Sequence, residues 1–154
     1  MGLYDRYVLP RVINLACSSS PNMKQREKVI PRAEGEVLEI GMGSGLNLPF
    51  YDRAKVRKVW GLEPSEGMRQ LARRNMGGAN LDLEMIDLPG EEIPLDENSV
   101  DTVVVTYTLC TIPDADKALR GMARVLRPGG KLLFCEHGIA PDERIATWQN
   151  RLDP

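Results

Sequence analysis

The chain has 154 residues, the length of one domain, and its 42% hydrophobic and 27% charged residues are ordinary for a soluble globular protein. A net charge of -2 and a pI near 5.5 argue against a broad nucleic-acid footprint, which would be basic. No apolar run is long enough to span a bilayer, so no stable membrane insertion is expected. Asp5 and Arg6 interrupt any signal-peptide pattern, and Cys17, Cys110 and Cys135 form no CxxC pair. The expectation is a cytoplasmic protein with free thiols and no nucleic-acid partner. His137 is its single histidine, and with no Cys/His/acid cluster at ligand spacing no metal is expected.

Residues 3–17 carry Leu3, Tyr7, Val8, Val12 and Leu15 at helical spacing, with Pro10 as a kink or break. Residues 22–30 read as a second short helix, rich in charge. The stretch 35–41, GEVLEIG, reads as a buried strand. It runs into Gly41, Gly43 and Gly45, after which a helix is expected to start near Leu46 or Asn47. VRKVWGLE at 56–63 reads as the second strand. Ser65 then caps a helix closed by Gly77 and Gly78. LDLEMI at 81–86 alternates like a strand. The connection 87–99 has two prolines and five acids and reads as a surface loop. VDTVVVTY at 100–107 is a β-branched strand, and 114–126 an amphipathic helix stopped by RPGG. KLLFCE at 131–136 reads as the fifth strand, and 141–152 as one more helix. Strands alternating with helices predict an α/β fold with a parallel sheet covered on both faces.

In an open α/β sheet, ligands sit beyond the carboxyl ends of the strands, where these glycines fall. Without side chains, they let the backbone approach a ligand closely and take φ > 0. The dinucleotide pattern G-x-G-x-x-G needs a third glycine where Leu46 stands. Glu39, two residues before Gly41, adds negative charge near where a pyrophosphate would sit. A carboxylate suits a cationic ligand. Glu63, at the end of the second strand, can accept hydrogen bonds from both hydroxyls of a ribose. A nucleoside bearing a sulfonium and an ammonium, S-adenosylmethionine, meets these demands.

In order, the segments VLEIGMGSG, GLEPSEGM, IPLDENSVDTVVVTYTLCTIPD and ARVLRPGGKLLFCEHG resemble class I S-adenosylmethionine-dependent methyltransferases over residues 35–138. GMGSGLNLPFY, TLCTIPD and FCEHG look most like a subgroup that includes small proteins active on alkyl thiols, and their bacterial relatives. The quinone C-methyltransferases look more distant. The resemblance implies a Rossmann-like, doubly wound sheet of about five parallel strands, without the last two strands of the family fold. It implies an N-terminal helical lid segment over 1–34 and a cofactor-binding core over 35–154. Tyr4 and Tyr7 are either part of that lid or ordinary packing.

The resemblance also implies roles. Glu39 would organise the glycine turn and the methionine ammonium. Gly41, Met42, Gly43 and Gly45, with Asn47 beyond them, would pass under the methionine and ribose. Glu63 would clamp the ribose, with Pro64, Ser65 and Met68 beside the adenine. Thr106 and Tyr107 would offer a backbone carbonyl to the ammonium. At the adenine edge many relatives have Asp-Ala-Glu where this chain has Pro89-Gly90-Glu91. Either Asp87 takes over the contact to the exocyclic amine, or the Gly90 N–H alone reads the ring. His137 is either a general base or a structural histidine. Cys110 reads as a free core thiol, since no basic partner is visible for a nucleophile.

The activity implied is methyl transfer to a small-molecule acceptor that is thiol, lipid-like or quinone-like. The alternative is a non-catalytic module that binds S-adenosylmethionine or oligomerises. A nicotinamide dehydrogenase is disfavoured by Leu46 and Glu39. An edge strand at 131–136 would be apolar and open, which predicts homo-oligomers through it.

Overall fold

The computed structural model describes residues 12, 14–15, 17–76, 81–138, 142–144 and 147. Most of the helix expected over 3–17, the glycine stop at 77–78 and most of the tail helix lie outside them. Five strands form one sheet: β1 (Gly35–Ile40), β2 (Val56–Leu62), β3 (Asp82–Ile86), β4 (Val100–Thr106) and β5 (Leu126–Cys135). All pairings are parallel and the order is β3-β2-β1-β4-β5. This is the parallel sheet that the alternation predicted, in the Rossmann-like, doubly wound arrangement that the resemblance implied. The helices α1 (Ser20–Val29), α2 (Glu66–Asn75) and α3 (Ala115–Val125) accompany it.

The central strands β1 and β4 are buried along nearly their whole length, as strands covered on both faces are. Successive side chains go to opposite faces. Val37, Val59, Val104 and Leu133 pack on one side with Ile30, Leu48 and Tyr51. Leu38, Ile40, Leu62, Val103 and Val105 pack on the other with Ala118, Met122 and Val125 of α3. Each fully buried side chain of this kind contributes about 1.5–3 kcal/mol. Ser65 caps α2 by accepting from the Met68 N–H, and Asp114 caps α3 by accepting from the Lys117 N–H.

Two expectations are corrected. No α-helix follows the glycine turn. The connection from Gly41 to Lys55 contains only a 3-10 turn at Leu48–Phe50. Pro49 removes one donor there. Asn47 and Tyr51 turn their side chains inward, where the Asn47 amide (2.8 Å) and the Tyr51 hydroxyl (2.7 Å) donate to Glu39. The second correction concerns RPGG, which lies within β5. Leu126 pairs with Val100 directly after α3, and pairing resumes with Lys131 opposite Thr102. Arg127–Gly130 bulge out against the single residue Asp101, with Gly129 at φ +80°.

Among the described residues no helix is long and apolar enough to cross a membrane, and no group of three or more His, Cys, Asp or Glu could hold a metal ion.

Candidate active site

A cavity of about 420 Å³ opens beyond the carboxyl ends of β1, β2 and β4. The strand order reverses between β1 and β4, where open α/β sheets bind ligands. Gly41, Met42 and Gly43 line it from β1, Glu63, Pro64, Ser65 and Met68 from β2 and α2, and Thr106 and Tyr107 from β4. Gly90 lines it from the loop before β4. These ten sequence-expected residues therefore come together around one space.

Gly41 (φ +63°) and Gly43 (φ +59°) need glycine for different reasons. A Cβ on Gly41 would strike the Thr108 side chain at 2.2 Å. On Gly43 it would meet nothing nearer than the Gly41 carbonyl at 3.9 Å, so it would take up ligand space instead. Glu63 holds the turn in place. Its carboxylate accepts from the Gly43 N–H (2.9 Å) and, through the other oxygen, from the Ser65 N–H (2.8 Å). Each oxygen keeps a further lone pair for a ligand hydroxyl. Burial raises the Glu63 pKa, against those two N–H donors.

Glu39, Gly45 and Asn47 stand behind the cavity and do not line it. A Cβ on Gly45 would strike Leu48 at 2.6 Å. Glu39 is 1% exposed, and burial pushes its carboxyl up to about 7, against the Tyr51 and Asn47 hydrogen bonds. Its influence on a ligand passes through the turn or through space. Asp87 is not at the cavity either. The Arg69 guanidinium grips its carboxylate at 2.5 and 2.7 Å. That leaves Gly90 and Glu91 at the adenine-edge position, and one Glu91 oxygen is buried without a hydrogen-bond partner.

His137 does not line the cavity. Its ring stands 4.8 Å from the Tyr107 ring, and α1's Arg26 stands 5.1 Å from that same ring. This favours the structural reading of His137. Tyr107 has φ +56°, fixed by its N–H to the Cys135 carbonyl (2.8 Å). Cys110, expected in the core, is exposed on the 3-10 turn Leu109–Thr111.

Sequence reading missed Arg26, which is 5% exposed and lines the cavity. Its Nη1 donates to Asn47 Oδ1 and to Thr106 Oγ1, both at 2.7 Å. Charged residues surround it in sequence, and no spacing signal marks it for burial. Asn14 and Cys17 of the N-terminal segment also reach the cavity.

A nucleoside with an amino-acid tail fits this arrangement. The turn leaves open space at Gly43, Glu63 offers acceptors for a ribose, and Arg26 is a buried cation with Nε unpartnered. A dinucleotide fits less well, because no α-helix N-terminus follows the turn to receive a pyrophosphate.

A family model described as a methyltransferase domain matches residues 38–134. The human thiol S-methyltransferase TMT1B is 35% identical over 133 residues, covering 82% of this chain and 54% of that protein. Phosphatidylethanolamine N-methyltransferase of Cereibacter sphaeroides is 31% identical over 144 residues, covering 88% and 70%. The crystal structure of the YcgJ protein from Bacillus subtilis superimposes with a TM-score of 0.66 at 26% identity, over 84% of this chain and 56% of that one. The chain thus spans about half the length of the thiol methyltransferase and of the YcgJ protein.

Proposed function

Because the chain belongs to the class I S-adenosylmethionine-dependent methyltransferases, we propose that it binds this cofactor in the cavity and passes the methyl group to a small-molecule acceptor that is thiol, lipid-like or quinone-like. The observation that carries the reading is Glu63. It ties the glycine turn of β1 to the end of β2 and keeps lone pairs facing the cavity. A thiol or lipid-amine acceptor is supported by the relatives with those activities. The three free cysteines are in keeping with a cytoplasmic location.

When bound, the cofactor supplies a methyl group already activated on a sulfonium. The protein's task is then to hold an acceptor lone pair in line and to exclude water. Orientation of this kind is worth about 7–11 kcal/mol of barrier. The glycine turn, Glu63 and Gly90 fix the nucleoside end. Thr106, Tyr107 and the N-terminal residues Asn14 and Cys17 border the other side, where an acceptor would enter. The N-terminal segment acts there as a lid.

Titration with S-adenosylhomocysteine by calorimetry tests the reading. Micromolar binding is expected, and Glu63→Ala should abolish it while the variant still melts cooperatively. No binding by the folded wild-type chain would overturn the cofactor assignment. Transfer of a labelled methyl group to an alkyl thiol, to phosphatidylethanolamine vesicles or to a quinol would then identify the acceptor. Binding with no turnover of any of them would assign the chain to the non-catalytic alternative.

A further inference from the structure

Helix α1 buries one residue, and it is an arginine. A helix that packed only for stability would bury apolar residues and leave its charges in water. The Arg26 guanidinium instead sits between β4 and the turn after β1. Its two hydrogen bonds both leave from Nη1 and both go to neutral oxygens, those of Asn47 and Thr106. Nε is buried with no partner. None of the ion pairs among the described residues includes it. The Glu39 carboxylate makes no ion pair with it: its oxygens accept from Asn47 and Tyr51, and the two charges act on each other only through space. A buried cation so placed has no direct anionic partner among the described residues; its guanidinium stands 5.1 Å from the Tyr107 ring, and the residue lines the cavity.

We infer that Arg26 seats the α-carboxylate of the cofactor's amino-acid tail. This rests on the cofactor reading above. S-adenosylmethionine has one anionic group, that carboxylate; its adenine and ribose are neutral and its sulfonium and ammonium are positive. The nucleoside end is drawn to Glu63 and Ser65, so the tail extends toward Thr106, Tyr107 and Arg26. A guanidinium presents two parallel N–H donors to a carboxylate, which a lysine cannot do. Arg26 also precedes the stretch 38–134 that matches the family model, so it is supplied by the N-terminal segment. The cavity is therefore completed electrostatically by α1, and the glycine-turn core alone lacks its anion site.

The test compares two ligands on the full chain by calorimetry. One is S-adenosylhomocysteine. The other is S-adenosyl-3-thiopropylamine, which lacks only the carboxylate. Wild type should bind the truncated ligand roughly 10- to 100-fold more weakly, the range of one charged hydrogen-bonded pair. Arg26→Gln should bind the two ligands within about two-fold of each other, and Arg26→Lys should keep a reduced preference of roughly three- to ten-fold. An Arg26 that served structure alone would lower both affinities together and leave their ratio unchanged. That ratio in Arg26→Gln would overturn the inference, as would equal binding of both ligands by wild type, with the cofactor reading left standing. If wild type bound neither, both readings would fall. Should Arg26→Gln not fold, the wild-type ratio and Arg26→Lys carry the test.

Discussion

Glu39 illustrates how one residue's environment can outweigh its solution chemistry. Its carboxyl lies at about 7 in the folded protein, chiefly through burial, against an ordinary value of 4.5. The folded state therefore holds a proton that the unfolded state releases first. Stability from this group is complete below about pH 4.5 and lost as pH rises to about 7. At about 1.4 kcal/mol per unit the change is about 3 kcal/mol. Glu39→Gln should flatten this slope, and urea unfolding at a series of pH values would show it. Equal slopes in the two proteins would mean that Glu39 titrates normally. At Gly43 the cost is divided differently. Gly43→Ala strains a positive φ, at about 1–2 kcal/mol, and fills ligand space without striking protein atoms. The Tm should fall modestly, while S-adenosylhomocysteine binding falls at least tenfold. A normal affinity would show that the turn does not carry the ligand. Glycines and an acid at a strand end are legible in sequence because their chemistry is local. Arg26 was not legible, because only the approach of α1 to β4, 80 residues away, makes it a buried cation.

At the level of elements, the strands and the helices α2 and α3 followed from sequence because their signals are cooperative: β-branched runs, 3.6-residue spacing and caps. Ser65→Ala should cost about 1 kcal/mol, read as a lower urea midpoint, because one N–H of α2 loses its acceptor. The segment after Gly45 was misread for a reason of the same kind. Its helix expectation rested on the strand and glycine turn before it, not on any apolar period of its own. Asn47, Pro49 and Tyr51 have no apolar period, and Asn47 and Tyr51 are committed to Glu39. The bulge in β5 was hidden too, because a sequence does not say which partner residue an RPGG stretch will face. Here it faces Asp101, which accepts from Arg127 (2.5 Å), from Arg57 (2.9 Å) and from the Glu36 N–H (2.8 Å). Burial raises the Asp101 pKa, but these donors outweigh it and leave a net lowering. The stabilisation is present above the unfolded pKa and lost as pH falls through the folded one. Asp101→Ala should loosen β5 against β4, with faster amide exchange at Lys131–Cys135 than at β1.

For the whole molecule, the five strands bury one layer on each side, but the coverage is uneven. Leu132 and Phe134 of β5 pair in register with Val103 and Val105, so they share the face that α3 covers farther in. Yet they are 41% and 63% exposed. β5 is also the last strand of the sheet, so its outer backbone groups have no strand partner among the described residues. An edge strand is commonly guarded by a lysine. Lys131 is drawn instead to Glu34 at 2.7 Å, a half-exposed ion pair that partly offsets its charge. An apolar edge whose lysine is turned to Glu34 should recruit a second strand. The 154-residue chain should therefore sediment as species heavier than its 17.2 kDa monomer at concentrations of about 100 μM, and dissociate on dilution. Phe134→Lys restores a charge on the exposed face without touching the cavity, and should shift the equilibrium to monomer while S-adenosylhomocysteine binding is kept. A wild-type chain that stays monomeric throughout this range would show that the edge is protected, and that the exposure of Phe134 carries no consequence for assembly.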